Sequence, residues 1–357
     1  MKSSNSSPPW HFLLYTLTLL ATLVISSYAA ADFVAPDDPR LKPARVISIH
    51  QNGFVQVFID GYIHTPTVKE VAKELSTNSA EFGIVYFNSS GGDLTAAQEL
   101  GRLIREKGFS TQIGKLTDDQ ARVGKGICES ACPIAFVGGK FRLLDTETGQ
   151  LGVHRFYLVK QGRWAEDAKV LFTAERDLRR YLKDMGVGDE FYALMMKTPA
   201  DRIQTIGKRT SYEMKLGTGS EFTAWNWTPD GKLVGLGDTS TGGLAIAFEC
   251  NKGSPQLAAK FKPWFPPAAL LNYDTHSITV NGVMYPVAKA AASFDKDTGF
   301  ITFRTEITAA TAKAFEAAER VGYSLTYENH PGEYARSLSL DGHRDMLMSV
   351  LAACPTK

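Results

Sequence analysis

The sequence carries three short segments whose residue types suit acyl transfer. These are the glycine pair Gly91-Gly92, the serine Ser130 and the histidine His154. Acyl transfer needs a nucleophilic oxygen, a base that removes its proton, and paired N–H donors for the developing oxyanion. Ser130 is the candidate nucleophile, and neutral His154 is the candidate base. The glycine turn and the amide of Ala131 are the candidate N–H donors.

Each of these residues also has an ordinary structural interpretation. A serine beside cysteines commonly serves only the fold, and a single histidine at a strand end commonly packs and forms hydrogen bonds. The prediction therefore depends on the order of the three segments along the chain rather than on any one residue.

Strands and helices alternate around these segments. An apolar, β-rich run at 82–87 predicts a buried strand that ends at the glycine turn, and the pattern from Leu94 to Ile104 predicts a helix after it. Such alternation implies right-handed crossovers and a mainly parallel sheet. Further strands are predicted within 45–63 and at 109–113, 141–144 and 151–154, with helices from Thr65 or Thr67 onward and at 165–185.

The composition changes after about Leu216, where 217–220 forms a plausible joint. We therefore predict a first domain over 32–218 and a separate, mostly β domain over 219–357. The second domain shows no set of residues comparable to the acyl-transfer set. Its predicted strands are 244–248, 277–280 and 300–305, and its predicted helices are 309–320 and 343–353.

The three segments together resemble the Clp/crotonase superfamily, and in particular its periplasmic Clp-protease-like branch. The resemblance spans about 45–216 and is carried by Asn88-Ser89-Ser90-Gly91-Gly92-Asp93, Cys128-Glu129-Ser130-Ala131-Cys132 and Leu151-Gly152-Val153-His154. It implies an α/β fold of stacked ββα units with a mainly parallel sheet, followed here by a smaller, mostly β (α+β) domain. It assigns the oxyanion hole to Gly92 and Ala131, and implies Ser130 as nucleophile and His154 as base.

The family also places an aspartate after the histidine, beyond a helix, where it orients the base. The segment 198–203 looks like the matching stretch, which makes Asp201 the candidate. An aspartate beside a proline is equally typical of a helix cap.

Two positions depart from the family pattern. Ser90 stands where a proline usually precedes the glycines, which loosens the preset geometry of the turn. Glu129 directly precedes the nucleophile, and a carboxylate there disfavours an oxyanion unless it points away. Low or very selective activity is compatible with this sequence. A lysine base at Lys125 or Lys140 is the rival mechanism. Lys125 lies between two glycines and Lys140 follows a glycine pair, so both are expected to be exposed, which keeps them protonated.

The four cysteines form two natural pairs, Cys128 with Cys132 and Cys250 with Cys354. Four cysteines allow three connectivities, and the clustering favours one pair per domain. Free buried thiols are the alternative. A metal site is less favoured because no histidine stands at ligand spacing beside the first pair.

The first residues are typical of a signal peptide, which we place at 1–31, with an apolar run followed by small residues before Asp32. A retained membrane anchor is the alternative, although the apolar run is short for a span. We expect a periplasmic or secreted protein with no stable membrane span after cleavage. The 39 basic and 38 acidic residues form no long run of one sign, so nucleic acid is not an expected partner.

The sequence thus predicts an exported serine endopeptidase that needs no cofactor or metal and acts on peptides or proteins of the cell envelope. The Clp resemblance also implies a possible homo-oligomer. A catalytically silent scaffold that binds peptides or envelope partners is the alternative, and acyl-CoA chemistry is disfavoured by export.

Overall fold

The computed structural model describes residues 44–354 except 52, 77–79, 120–121, 145–148 and 159–163. The predicted signal peptide at 1–31 lies outside the described residues. Among the described helices, none is long and apolar enough to cross a lipid bilayer.

The part of the chain predicted to be the first domain combines short strands with helices of five to 21 residues. Its strands are β1 (Arg45–Gln51), β2 (Phe54–Asp60), β3 (Phe82–Asn88), β4 (Ser110–Ile113), β5 (Lys115–Leu116), β6 (Val123–Gly124), β7 (Gly126–Glu129), β8 (Arg142–Leu143), β9 (Gly149–Val153) and β10 (Gln204–Ile206). Its helices are α1 (Thr65–Ser76), α2 (Leu94–Glu106), α3 (Cys132–Phe136), α4 (Trp164–Asp184), α5 (Asp189–Lys197) and α6 (Lys208–Glu213). The architecture is mixed α/β.

The larger sheet of this domain has the strand order β1-β2-β3-β4-β8. Its pairings are parallel except for the hairpin of β1 with β2. Strand β3 is buried along its centre because helices and neighbouring strands cover both of its faces, as its continuous apolar run predicted. Helix α2 follows the glycine turn, and Asp93 caps it by accepting a hydrogen bond from Ala96 N at 2.8 Å.

A smaller sheet, ordered β10-β9-β7, carries the residues of interest. Strands β7 and β9 are parallel, whereas β10 pairs antiparallel with β9. Because the carboxyl ends of parallel neighbours meet at one sheet edge, the residues that follow β7 and β9 lie close together. Ser130 follows β7 directly, and His154 follows β9 directly.

The part of the chain predicted to be the second domain is mostly antiparallel β structure around an apolar cluster of its own. Its strands are β11 (Glu221–Trp227), β12 (Leu233–Thr239), β13 (Gly242–Asn251), β14 (Ser254–Pro263), β15 (Thr275–Val280), β16 (Val283–Val287), β17 (Ala291–Phe294), β18 (Ile301–Glu306), β19 (Arg320–Thr326) and β20 (Glu333–Ser339). They form one sheet ordered β11-β12-β13-β14-β18-β17 and another ordered β16-β15-β19-β20. A 3₁₀ helix covers Pro267–Asn272, and α7 (Ala309–Phe315) and α8 (Arg344–Ala353) complete the domain.

The helix predicted at 309–320 is shorter in the structure, where α7 ends at Phe315. Arg320 instead begins β19, where it pairs with Ser339 of β20. Its guanidinium holds the carboxylate of Glu221, so the local helical pattern gives way to tertiary contacts.

The two domains contact each other through aromatic and charged side chains. Phe141 stacks on Phe222 with ring centroids 4.8 Å apart. Lys140 forms an ion pair with Asp238 of the second domain. Because Lys140 is engaged in this pair, its side chain is directed to the domain interface.

Candidate active site

Ser130 occupies a sharp turn between β7 and α3. Its φ of 58° lies in the left-handed region, which side chains other than glycine adopt rarely. The turn is held by the N–H of Ser130, which donates to the carbonyl of Gly152 at 3.1 Å. Such conformations persist where surrounding contacts enforce them, and they are enriched at functional sites. The side chain of Ser130 remains partly exposed at this turn.

The glycine turn packs directly against this serine. A Cβ at Gly91 would lie 2.6 Å from Ser130 Cβ and 3.0 Å from Ser130 Oγ, so a side chain there would displace the hydroxyl. A Cβ at Gly92 would lie 2.0 Å from the carbonyl oxygen of Ile63. Both positions therefore require glycine for steric reasons, and the close approach of backbone to serine depends on them.

The glycine turn is held by hydrogen bonds of Ser89, beside the Ser90 that stands where the resemblance in sequence leads one to expect a proline. Ser89 Oγ donates to the carbonyl of Gly91 at 3.0 Å and accepts from Gly91 N at 3.2 Å. Ser89 is buried, and its N–H donates to the carbonyl of Ile127 at 2.7 Å. A local side-chain hydrogen bond thus fixes the turn that proline would otherwise preset.

His154 lies within hydrogen-bond distance of the serine, with Nε2 2.6 Å from Ser130 Oγ. Burial lowers the pKa of the imidazole, and a hydrogen bond with the backbone at Arg155 opposes that effect. A lowered pKa keeps the ring neutral at neutral pH, which is the state that accepts a proton. The structure thus joins the two predicted residues in the geometry of a nucleophile and its base.

Asp201 does not contact His154 among the described residues. The carboxylate is exposed in the turn after α5, and Nδ1 of His154 lies 2.9 Å from the carbonyl oxygen of Arg155. The predicted role of Asp201 as the group that orients the base is therefore replaced by a backbone carbonyl. The 198–203 segment takes part indirectly, because the carbonyl of Thr198 accepts from Arg155 N at 3.0 Å.

A carbonyl at Nδ1 fixes the tautomer as a carboxylate would. It accepts the Nδ1–H, which leaves Nε2 free to take the serine proton. It lacks the negative charge that stabilises an imidazolium during proton transfer. This arrangement supports base catalysis with a smaller contribution from charge stabilisation.

The two predicted oxyanion donors have unpaired N–H groups. Within the described part of the chain, neither Gly92 N nor Ala131 N has a hydrogen-bond acceptor. Gly92 forms a parallel β-bridge with Ile63. The two hydrogen bonds of this bridge run from Ile63 N to Gly91 O and from Asp93 N to Ile63 O. The N–H of Gly92 therefore points to the side of the turn away from Ile63. Buried or half-buried N–H groups without partners are uncommon, and a ligand oxygen would satisfy both.

Glu129 points away from the serine hydroxyl. Its Oε1 lies 3.4 Å from Nε2 of Gln150, at the opposite end of β9 from His154. The Cγ atom of Glu129 also packs against Gly152, because a Cβ built on Gly152 would lie 3.3 Å from it. Partial burial raises the pKa of this carboxyl group. The carboxylate therefore opposes an oxyanion less than its position in the sequence indicated.

A disulfide joins Cys128 and Cys132 across the serine turn, with Cα atoms 5.1 Å apart. Cys128 lies on β7 and Cys132 begins α3, so the bond fixes the two arms of the turn. The second predicted pair, Cys250 with Cys354, is also bonded, and it ties β13 to the end of α8. Both pairings predicted from the sequence are confirmed.

The rival lysines do not reach the serine. Lys125 is exposed, and Lys140 is directed to Asp238 at the domain interface. Among the described residues, no group of three or more histidines, cysteines, aspartates and glutamates is arranged to hold a metal ion.

Sequence reasoning missed two parts of the site. The carbonyl of Arg155 has no signal in the sequence because every residue carries one. The rings of His154 and Tyr157 lie 6.0 Å apart, and Tyr157 is 47% exposed beside the base. Burial, together with the nearby Tyr157 and Asp93, raises the pKa of Tyr62.

No family model matches the sequence, and no curated protein matches it. Among solved structures, the chain is similar to a point mutant of ClpP1 from Listeria monocytogenes, with 16% sequence identity and a TM-score of 0.35. That similarity covers 45% of this chain and 88% of the other. Because identity and TM-score are both low, a functional interpretation must rest on the geometry around Ser130.

Proposed function

We propose that this chain is an exported serine endopeptidase in which Ser130 is the nucleophile and His154 the general base. The observation that carries the proposal is the 2.6 Å contact between His154 Nε2 and Ser130 Oγ at a left-handed strand-to-helix turn. Structural serine–histidine contacts are common, but this one lies beside two unpaired N–H groups. The proposal includes the Clp-like assignment of Gly92 and Ala131 to the oxyanion hole.

The reaction follows from these positions. Ser130 Oγ attacks the peptide carbonyl carbon while Nε2 of His154 takes the hydroxyl proton. The carbonyl oxygen becomes an oxyanion that accepts from Gly92 N and Ala131 N. The C–N bond then breaks, and the imidazolium gives its proton to the leaving amine.

A water molecule completes the cycle. His154, neutral again, removes a proton from the water as it attacks the acyl-serine ester. Collapse of the second tetrahedral intermediate releases a carboxylic acid product and returns the proton to Ser130 Oγ. No step uses a group outside the described site.

Export is part of the same proposal. All four cysteines are in disulfides, and disulfides persist in oxidising compartments such as the periplasm or the extracellular space. The proposed substrates are peptides or unfolded proteins of the cell envelope. The homo-oligomer implied by the Clp resemblance belongs to this proposal and is tested by the mass of the mature chain in solution.

The experiment is cleavage of a diverse peptide library by the mature chain expressed with its disulfides intact. We expect internal cleavage products, detected by mass spectrometry, that are absent with Ser130→Ala. Ser277→Ala, which removes a hydroxyl from the second domain, is the matched control and retains cleavage. Equal product formation by the Ser130→Ala variant would refute the proposal.

A catalytically silent scaffold is the second candidate. The observation that favours it is the carbonyl at Nδ1 of His154, which supplies no negative charge to the base. A scaffold would bind peptides equally well before and after Ser130→Ala and release no products. The library experiment separates the two candidates when the peptides retained by the chain are quantified in the same sample as the cleavage products.

A further inference from the structure

The second domain contains a recess of about 240 Å³ beside the β12–β13 turn. We call it the hydroxyl recess because serine and threonine side chains supply much of its lining. It lies between that turn, the start of β11 and the edge strand β20. The lining residues used below are Glu221, Ser240, Thr241, Arg320, Arg336 and Ser337.

The charges at the recess do not cancel. Arg320 neutralises Glu221 through two hydrogen bonds of 2.7 and 2.9 Å to its two carboxylate oxygens. The remaining donors of Arg320 bond Ser337, at the hydroxyl and the carbonyl. This pair is therefore satisfied and contributes no net charge.

Arg336 supplies the excess positive charge. Its hydrogen bonds go to neutral acceptors, Thr241 Oγ1 at 3.0 Å and the carbonyl of Ala335 at 3.2 Å. Its guanidinium also lies 5.0 Å from the ring centroid of Tyr334. Among the described residues, no carboxylate forms an ion pair with it. Each of these contacts positions the guanidinium, and none neutralises it.

Hydroxyl groups of the recess lie close to Arg336 in the lining. Thr241 Oγ1 accepts from Arg336, and its own O–H has no acceptor within the described residues. Ser240, which is half-exposed, lines the same recess with its hydroxyl-bearing side chain. A planar guanidinium together with free O–H donors recognises the oxygens of a carboxylate or phosphate group.

We propose that the hydroxyl recess binds one compact oxyanion through Arg336, Ser240 and Thr241. The volume is below that of a typical drug-sized ligand site, so it suits a small anionic group rather than a large cofactor. The shared chemistry is that of an oxyanion, which a free inorganic ion or the terminal carboxylate of a peptide can supply. The site is independent of the chemistry at Ser130.

The experiment is a calorimetric titration and thermal unfolding of the full mature chain with inorganic phosphate, acetate and a short peptide. The peptide is used with a free terminal carboxylate and as its amide, and sodium chloride at equal ionic strength is the control. We expect saturable binding of at least one oxyanion and a raised unfolding temperature. Binding of phosphate alone identifies a free ion, and binding of the acid peptide but not the amide identifies a chain terminus.

Arg336→Gln should weaken that binding about tenfold or more, as loss of a charge-assisted hydrogen bond does. Arg304→Gln is the matched control because it removes the same charge from the same domain at a residue paired with Glu249. If Arg336→Gln does not fold, Thr241→Val is the second test. It removes the Thr241 hydroxyl, a hydrogen-bond donor of the recess, and should also weaken anion binding. The proposal is overturned if no probe binds above the chloride control, or if binding is equally strong in the folded Arg336 or Thr241 variant.

Discussion

Each domain buries a histidine against a hydroxyl group, and burial lowers the pKa of both rings. His154 Nε2 lies 2.6 Å from Ser130 Oγ, and His276 Nδ1 lies 2.9 Å from the hydroxyl of Tyr323. Yet Tyr323 is fully buried in the middle of β19, and burial raises the pKa of its phenol. Ser130 is partly exposed at a left-handed turn.

The comparison shows that a neutral, buried histidine beside a hydroxyl is not by itself a site. In the second domain the pair satisfies polar groups within a core, which is the usual fate of such groups. In the first domain the backbone adds what acyl transfer requires, namely an accessible hydroxyl and, beside it, N–H donors that have no acceptor among the described residues. The two histidines therefore provide matched tests.

The largest expected difference is between substitutions of the two histidines. His154→Gln removes the base and should lower the rate of peptide cleavage about 10²- to 10⁴-fold. His276→Gln removes an equally buried imidazole from the core of the other domain and should leave the rate per folded molecule within about twofold. The measurement is initial cleavage rate, normalised by the folded fraction from circular dichroism. Similar losses in the two variants would contradict the assignment of His154 as the base.

Removing one disulfide should mainly lower the stability of the fold, and removing the other should mainly lower the cleavage rate. Replacing Cys250 and Cys354 by alanine opens a link across 104 residues and should cost roughly 2–5 kcal/mol in the free energy of unfolding. Replacing Cys128 and Cys132 opens a link across four residues, which constrains the unfolded chain less, but releases the serine turn.

We therefore expect the first double variant to unfold at lower denaturant concentration and to cleave normally while folded. The second should lose more activity than stability. Chemical denaturation and cleavage rates of both variants check this expectation. A Cys128/Cys132 variant with unchanged cleavage would show that the bond does not position Ser130.

The pH dependence should follow the neutral fraction of His154. Its pKa is lowered from the ordinary value of about 6.5 by burial, so the base stays active below that pH. The cleavage rate should be level near pH 7 and fall about tenfold per pH unit below the lowered pKa. Rates measured from pH 4 to 8 at constant ionic strength test this, and an inflection above about 6.5 would contradict it.

The free energy of unfolding should fall with decreasing pH, as the cleavage rate does. The unfolded histidine binds a proton near its ordinary pKa, whereas the folded one resists protonation. Stability is therefore complete above about pH 6.5 and falls as the pH drops from there toward the folded pKa. Burial also lowers the pKa of His276, which contributes in the same direction. The pH dependence of stability therefore depends on both histidines, whereas the pH dependence of the cleavage rate depends on His154 alone.

The smallest expected effect belongs to Asp201→Asn. The exposed carboxylate does not contact the base, and the carbonyl of Arg155 orients Nδ1 instead. We expect cleavage within about threefold of the native rate. A loss of a hundredfold or more would restore Asp201 as the orienting residue and require a rearrangement of the turn after α5.

Local signals in the sequence predicted much of this structure. The sequence predicted strands within 45–63, where β1 and β2 lie, and the apolar run at 82–87 predicted β3. The clustering of cysteines predicted both disulfides. These features were accessible because each depends on residues close together in the chain or on side-chain type.

The remaining features depend on tertiary contacts. Arg320, which the local pattern placed at the end of a helix, instead lies on β19 and contacts Glu221, 99 residues away. The orientation of His154 by a backbone carbonyl and the direction of Glu129 toward Gln150 have no residue-type signature. They follow from how β7, β9 and the turn after α5 meet, which a single sequence does not specify locally.

The most direct test of the central claim is covalent labelling of the disulfide-bonded chain with a fluorophosphonate probe between pH 6 and 9. The probe phosphorus accepts an activated serine oxygen and expels its leaving group, so labelling reports a nucleophile and not a binding site. We predict one modified peptide, mapped by mass spectrometry to Ser130, with labelling slowed by His154→Gln and unaffected by His276→Gln. A folded chain whose Ser130 takes no label across this range, or a label on another serine that persists in Ser130→Ala, would contradict the account.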